Sequence, residues 1–187
     1  MKIDLTLPIT PEMLEEAKRL ENKALEGHIG THFDAMGAVF PLEYTERRAV
    51  IYDVCAITDR DIDVTDIDLE RVEAGMFVAL YTGFSERENY GTKRYYGEHP
   101  QLSRELILAL VEKKVSVIGV DCAGIRRGGE HIPTDAYCSE RGVFVVENLR
   151  GLDALLHTDR QITIHTYPMR CEGITGLPCR VVAEVEE

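Results

Sequence analysis

Two imidazoles and a carboxylate crowd the segment Gly27-His28-Ile29-Gly30-Thr31-His32-Phe33-Asp34-Ala35. Neutral imidazole nitrogens and a carboxylate oxygen make the mixed donor set that zinc, manganese or iron(II) accepts. Their convergence depends on the backbone between them. A helix would put His28 and His32 one turn apart, but Gly30 and Thr31 are weak helix formers. An extended strand points residues 28, 30, 32 and 34 to one side and apolar Ile29 and Phe33 to the other. In that geometry Gly30 leaves room between the histidines for an ion or a substrate. The spacing alone equally suits a hydrogen-bonded histidine pair with an Asp in a core.

The remaining chain supplies elements able to hold such a segment. Runs of β-branched and aromatic residues predict strands over residues 49–55, 76–82, 115–121, 143–147, 162–167 and 180–184. The stretch 115–120 is nearly continuous in apolar residues, which implies burial on both faces. A helix is expected over 11–26, with Thr10 as cap and Pro11 in its first turn. A second helix is expected to start at Ser103, and a shorter one to span 152–157. Residues 84–100 (FSERENYGTKRYYGEHP) are polar, aromatic and Gly-punctuated, and read as a long surface loop beside a site or subunit contact. The expected fold class is a mixed α/β domain in which strands outnumber helices.

The chain has 187 residues and shows no repeat or linker, so one domain over residues 1–187 is expected. Its net charge of -12 repels phosphate backbones and anionic lipid, which leaves small molecules, cations or further copies of the chain as partners. No stretch reaches the roughly 18 apolar residues needed to span a bilayer. The segment MKIDLTLPIT lacks the apolar core of a secretory signal, so a cytoplasmic location is expected. The five cysteines are odd in number, scattered and without a CxxC pair, which suits reduced thiols.

A series of motifs in order along the chain resembles the putative cyclase family of metal-dependent hydrolases, the family of bacterial kynurenine formamidase. The segment HIGTHFDA is similar to that family's HxGTHxDAP signature. Ile3-Asp4-Leu5-Thr6 with Pro8-Ile9 resembles its opening strand, and Ala79-Leu80-Tyr81-Thr82-Gly83 a strand ending in Thr-Gly. His99-Pro100-Gln101-Leu102-Ser103 resembles its HPGLS helix start. Val117 to Asp121, then Val145-Val146-Glu147-Asn148-Leu149 followed by Leu152-Asp153, and Glu172-Gly173-Ile174-Thr175-Gly176-Leu177-Pro178-Cys179-Arg180 complete the series. The resemblance implies a swivelling β/β/α fold assembled as homodimers or homotetramers. It also implies metal-assisted hydrolysis of a small amide, formamide or lactam, as in arylformamidase. Carried over residue by residue, it makes His28, His32, Asp34 and Glu147 metal ligands, with zinc or manganese as the ion.

Two positions depart from the family pattern. The proton-shuttling histidine expected six residues after His32 is Ala38, and the later metal-binding histidine, twelve residues before Glu147, is Asp135. A carboxylate at 135 can still bind zinc or manganese in a more anionic site. His131, four residues earlier, is the alternative donor. A metal that polarises a carbonyl and acidifies a water still supplies a nucleophile, but a group must protonate the leaving nitrogen. His131, Glu130 and His99 are the candidates, His131 and Glu147 being taken as catalytic. Met36 stands where the motif has Pro and is expected to alter the turn after Asp34. Tyr95 and Tyr96 are candidates to line a cavity. His157 is expected at a helix end, His165 on a strand surface, and the acidic run DRDIDVTDID (59–68) as a solvated turn. Cys122 and Cys138 flank the region without an adjacent base that would activate them.

Overall fold

The apolar runs become the centre of one mixed sheet in the computed structural model, which describes residues 1–19, 27–171 and 173–186. Its strands are β1 (Lys2–Asp4), β2 (His32–Asp34), β3 (Glu46–Asp53), β4 (Phe77–Tyr81), β5 (Val117–Val120), β6 (Phe144–Glu147), β7 (Ile162–Thr166), β8 (Gly176–Pro178) and β9 (Val181–Val185). The order across the sheet is β1-β9-β7-β3-β4-β5-β6-β2-β8. Strands β3 to β6 pair in parallel. The flanking pairs are antiparallel.

Alternation along the central strands sorts side chains onto two faces. Phe77, Val117 and Phe144 join one cluster, to which all nine strands contribute, including Phe33, Leu177, Val181 and, at partial burial, Ile3 and Ala49. A sheet whose two ends share a core must curl, as the twist of its strands favours. Thr6 accordingly bridges to Leu149, and Arg150 N–H donates to the Leu5 carbonyl at 2.9 Å. Val78, Leu80, Ile118 and Val145 face the other way, into a cluster that takes Leu106 and Leu110 from a helix.

Five α-helices lie among the described residues: α1 (Pro11–Arg19), α2 (Phe84–Arg87), α3 (Lys93–Gly97), α4 (Arg104–Glu112) and α5 (His131–Ser139). Helix α4 begins as the sequence predicts: Ser103 Oγ accepts the Leu106 N–H at 3.0 Å and donates to Asp63 Oδ1 at 2.9 Å. Ser103→Ala is expected to cost about 1 kcal/mol of stability, read as a lower urea midpoint at unchanged m-value.

Two expectations are corrected and one helix is added. Residues 84–100 are not a plain surface loop: they hold α2 and α3, and Tyr95 is fully buried. Its ring stacks with Phe84, Tyr90 and Tyr96 at centroid distances of 5.9, 5.4 and 5.6 Å. Polar composition hid this because the three tyrosines bury ring surface while their hydroxyls stay hydrogen-bonded or near solvent. Helix α5 has little signature in the sequence, since Gly128, Gly129 and Pro133 mask its start and its apolar periodicity is weak. The stretch 152–157 is a 3-10 turn over Leu152–Leu155. Of the helix expected over 11–26, residues 20–26 lie outside the described residues, as does Glu172. No helix among the described residues is long and apolar enough to cross a membrane.

Candidate metal centre

Register places the first pair of donors. Strand β2 sits between β6 and β8, with His32 opposite Glu147 on one side and Pro178 on the other. His32 and Asp34 share a face, while Phe33 between them enters the nine-strand core. His32 Nε2 lies 3.6 Å from Glu147 Oε2 and 3.7 Å from Asp34 Oδ1.

The extended reading of residues 28–34 holds only from His32 onward. Residues 29–31 form a bend, and Gly30 has φ +64°. The conformation that glycine tolerates turns the chain so that His28 approaches from the side. His28 Nδ1 reaches His32 Nε2 at 3.0 Å and Asp34 Oδ1 at 3.1 Å. The space at Gly30 serves the fold and not a ligand, because a Cβ there would lie 3.0 Å from Ile9 Cγ1.

Helix α5 packs against β6 and brings the remaining donors. His131 and Asp135 are four residues apart, hence on one face of the helix. His131 Nε2 is 3.3 Å from Asp135 Oδ2 and 3.5 Å from Glu147 Oε1. Ser139, at the far end of α5, donates from Oγ to the Ala35 carbonyl at 2.8 Å, tying the helix to the residue after Asp34. The structure thus brings together His28, His32, Asp34, His131, Asp135 and Glu147. They form two sets that share Asp34, with the donor atoms of each set within 4.8 Å of one another.

Burial and charge make this cluster unusual. Asp34, Asp135 and Glu147 are 0, 1 and 4% exposed, and buried carboxylates are costly without compensation. Among the described residues, the ion-pair contacts of Asp34 and Asp135 are to histidine alone. Both Asp34 oxygens and Asp135 Oδ2 lack a hydrogen-bond partner; the nearby ring nitrogens are close but poorly aligned. Burial alone would raise the Asp34 carboxyl, but the His28 and His32 imidazoles outweigh it and hold the group below the usual carboxylate range. Burial and then the negative charge of Asp34 push Asp135 well above that range.

Second contacts fix the rings. His32 Nδ1 faces the Gly30 carbonyl at 2.9 Å, and a carbonyl only accepts, so the proton sits on Nδ1 and Nε2 carries a lone pair in the neutral ring. His131 is set the same way by the Arg126 carbonyl, 3.1 Å from its Nδ1. His28 uses Nε2 toward Thr175 Oγ1 at 2.9 Å. Each imidazole therefore turns one nitrogen to a protein partner and the other inward, the pattern of metal-ligating histidines.

A divalent cation fits this donor set. For ligand bonds of about 2.1 Å, tetrahedral donors lie roughly 3.4 Å apart, close to the 3.0–3.7 Å spacings within the cluster. Inward lone pairs and unpartnered carboxylate oxygens repel one another unless positive charge lies between them.

The cluster forms part of the wall of a cavity of about 390 Å³ with Met36, Tyr90, Tyr96, Ala123 and Ile132, a size that suits a small organic molecule.

The fold has counterparts among known proteins. The family described as Putative cyclase matches residues 3–126, that is 124 of 187 residues. The chain belongs to the putative cyclase family. No curated protein matches it. Among solved structures, a potential metal-dependent hydrolase with cyclase activity superposes with a TM-score of 0.75 at 23% identity, covering 100% of this chain and 98% of its own. Isatin hydrolase A from Ralstonia solanacearum gives 0.71 at 26% identity, covering 85% of this chain and 72% of its own. A predicted metal-dependent hydrolase from Bacillus stearothermophilus gives 0.71 at 21%, covering 98% and 97%. The mixed, curled sheet is thus the fold of the cyclase family.

The other sequence candidates fall away from the cluster or into structural roles. Glu130 is held by Arg126 and Arg104, at 2.8 and 2.6 Å. His99 is buried with Nδ1 against the Pro100 carbonyl, outside the cavity wall, and burial lowers its pKa to about 4. Ala38 is partly buried against the nine-strand core. Of the acidic run, Asp63 and Asp68 cap 3-10 turns and Asp66 pairs with Arg60. All five cysteines are free thiols. Burial raises Cys122 and pushes Cys138 up to about 12, so neither is an activated nucleophile. His165 pairs with Glu184 across two strands. Thr175 and Asn148 carry no role in the sequence reading, although both lie in segments that resemble the family.

Proposed function

We propose that this protein is a metal-dependent hydrolase acting on a small amide, formamide or lactam in an arylformamidase-like reaction. The observation that carries the reading is the convergence of three buried carboxylates and three imidazoles, of which the imidazoles and Glu147 line a cavity. His28, His32, Asp34, Asp135 and Glu147 would hold one or two divalent ions, zinc or manganese being suited to nitrogen and oxygen donors. When bound, such an ion supplies Lewis-acid polarisation of a carbonyl and a water of lowered pKa.

The chain's own groups supply the proton transfers. Glu147 presents Oε2 toward His32 and Oε1 toward His131, so a proton taken from an attacking water at Glu147 has His131 Nε2 as its neighbour. His131, steadied at Nδ1 by the Arg126 carbonyl, protonates the leaving nitrogen from Nε2 and takes the part for which Ala38 has no group. Met36, Tyr90, Tyr96 and Ile132 offer an apolar surface to a planar substrate, which the isatin hydrolase similarity also favours.

A second reading, metal binding without catalysis, is favoured by one observation: Ala38 is partly buried against the core and presents no titratable group. Turnover separates the two. Protein purified without chelating resin and loaded with manganese or zinc is expected to hydrolyse isatin or N-formylkynurenine, and to lose that activity in EDTA. Stoichiometric metal with no turnover of either compound would favour the second reading, and absence of metal would overturn both.

A further inference from the structure

We propose that Asn148 and Tyr95 are positioning residues for His32: together they hold the Gly30 carbonyl that decides which nitrogen of the His32 ring bears its proton. The inference deepens the metal-centre reading and rests on it.

Asn148 follows β6 directly and has φ +60°, a left-handed conformation that asparagine tolerates better than most residues with a side chain. It is buried, and each of its polar groups has a partner. Its N–H donates to the Cys122 carbonyl at 3.0 Å, and its own carbonyl accepts from the Thr31 hydroxyl at 2.8 Å. Its side-chain Nδ2 donates to the Gly30 carbonyl at 2.9 Å. That contact fixes the amide orientation, because a carbonyl cannot donate in return. Oδ1 must then face Tyr95, whose hydroxyl lies 2.8 Å away and is the donor. Tyr95 is fully buried, and burial raises its hydroxyl far above the usual range, so it stays a donor.

Both backbone polar groups of Gly30 are therefore held. Its N–H donates to the Tyr90 hydroxyl at 3.1 Å, and its carbonyl accepts from Asn148 Nδ2 and His32 Nδ1. With the carbonyl pinned, His32 keeps its proton on Nδ1 and offers Nε2 toward His28, Asp34 and Glu147. Partners of this kind set ligand orientation and typically change metal affinity about 10- to 100-fold.

Three variants separate positioning from a merely structural role. Asn148→Gly keeps the left-handed backbone and loses the amide. Asn148→Asp keeps the shape but turns an acceptor toward the Gly30 carbonyl. Tyr95→Phe removes one hydroxyl and keeps the ring packing, so it remains folded even where the others do not. The readouts are the ¹⁵N spectrum of the His32 ring in metal-free protein and the affinity for zinc and manganese measured by competition with a chelating dye. Wild type is expected to show a single Nδ1–H tautomer. The Asn148 variants are expected to show mixed tautomers and about tenfold weaker binding or more, with Tyr95→Phe shifting both in the same direction. Variants that lose stability but keep the tautomer and an affinity within twofold of wild type would overturn the proposal. The spectrum of the metal-free protein decides this inference even if the wild type binds no metal, the result that would sink the metal-centre reading itself.

Discussion

His32→Ala is expected to leave a folded protein whose affinity for zinc or manganese is lower by about three orders of magnitude, roughly 4 kcal/mol. Position 32 carries the largest effect because its ring stands at the centre of the donor set. Nε2 is within 3.0–3.7 Å of His28, Asp34 and Glu147, one contact from each of the three. If about 10–16 kcal/mol of zinc binding is shared by four ligands, each supplies about 2.5–4 kcal/mol. Loss of the ring also opens a gap in the cavity wall. The fold should survive, since the pairing of residue 32 with residues 147 and 178 is made by the backbone. His165→Ala is the control: that histidine pairs with Glu184 and Glu46 on strand surfaces far from the donor set in sequence and sheet position, and its loss should leave affinity unchanged. Equal affinities for wild type and His32→Ala, measured by calorimetry, would remove His32 from the site.

Asp135→Asn is expected to act in two opposite directions. With metal, affinity falls roughly a hundredfold, by the same division of binding energy among ligands. Without metal, the variant is more stable than wild type at pH 8, by about 1–2 kcal/mol, roughly 3–6 °C in Tm for a chain of this size. The sign follows from proton linkage. Burial and the charge of Asp34 raise the folded-state pKa of Asp135, so the folded protein holds a proton that the unfolded chain releases above about pH 4. The stability Asp135 contributes is complete below that pH and is lost as pH rises through the folded value. Asp34 works in the reverse sense, its lowered pKa giving stability that is lost only below about pH 4. Thermal unfolding of both proteins in EDTA between pH 5 and pH 8 therefore separates Asp135 from Asp34, and the advantage of the variant over wild type should grow across that range. A variant less stable than wild type at pH 8 would show that the buried carboxylate is already compensated without a cation.

How far the sequence reveals this site depends on which interactions are local. The six longest strands were legible because β-branched runs such as Val117 to Val120 bury both faces. Helix α4 was legible because Ser103 caps a regular apolar stripe. His32 and Asp34 share a face by the two-residue period of a strand, and that too could be read directly. Their meeting with Glu147 was not readable from spacing, because register between β2 and β6 is set by the whole sheet. Resemblance supplied that link. Helix α5 escaped because its signal is weak, so Asp135 and His131 appeared as separate alternatives, although one helical turn presents them together. The bend at Gly30 is not open space, contrary to what an extended strand implies. Its positive φ answers to contacts with Ile9, Tyr90 and Asn148, which are distant in sequence.

The central claim is that the two imidazoles of the signature and the carboxylates of β2, α5 and β6 enclose a cation. Anomalous diffraction from crystals soaked in manganese chloride tests it most directly. The expected result is a peak about 2.0–2.3 Å from His32 Nε2 and a carboxylate oxygen of Asp34 or Glu147. A protein that diffracts well and shows its manganese peaks only elsewhere would contradict the account.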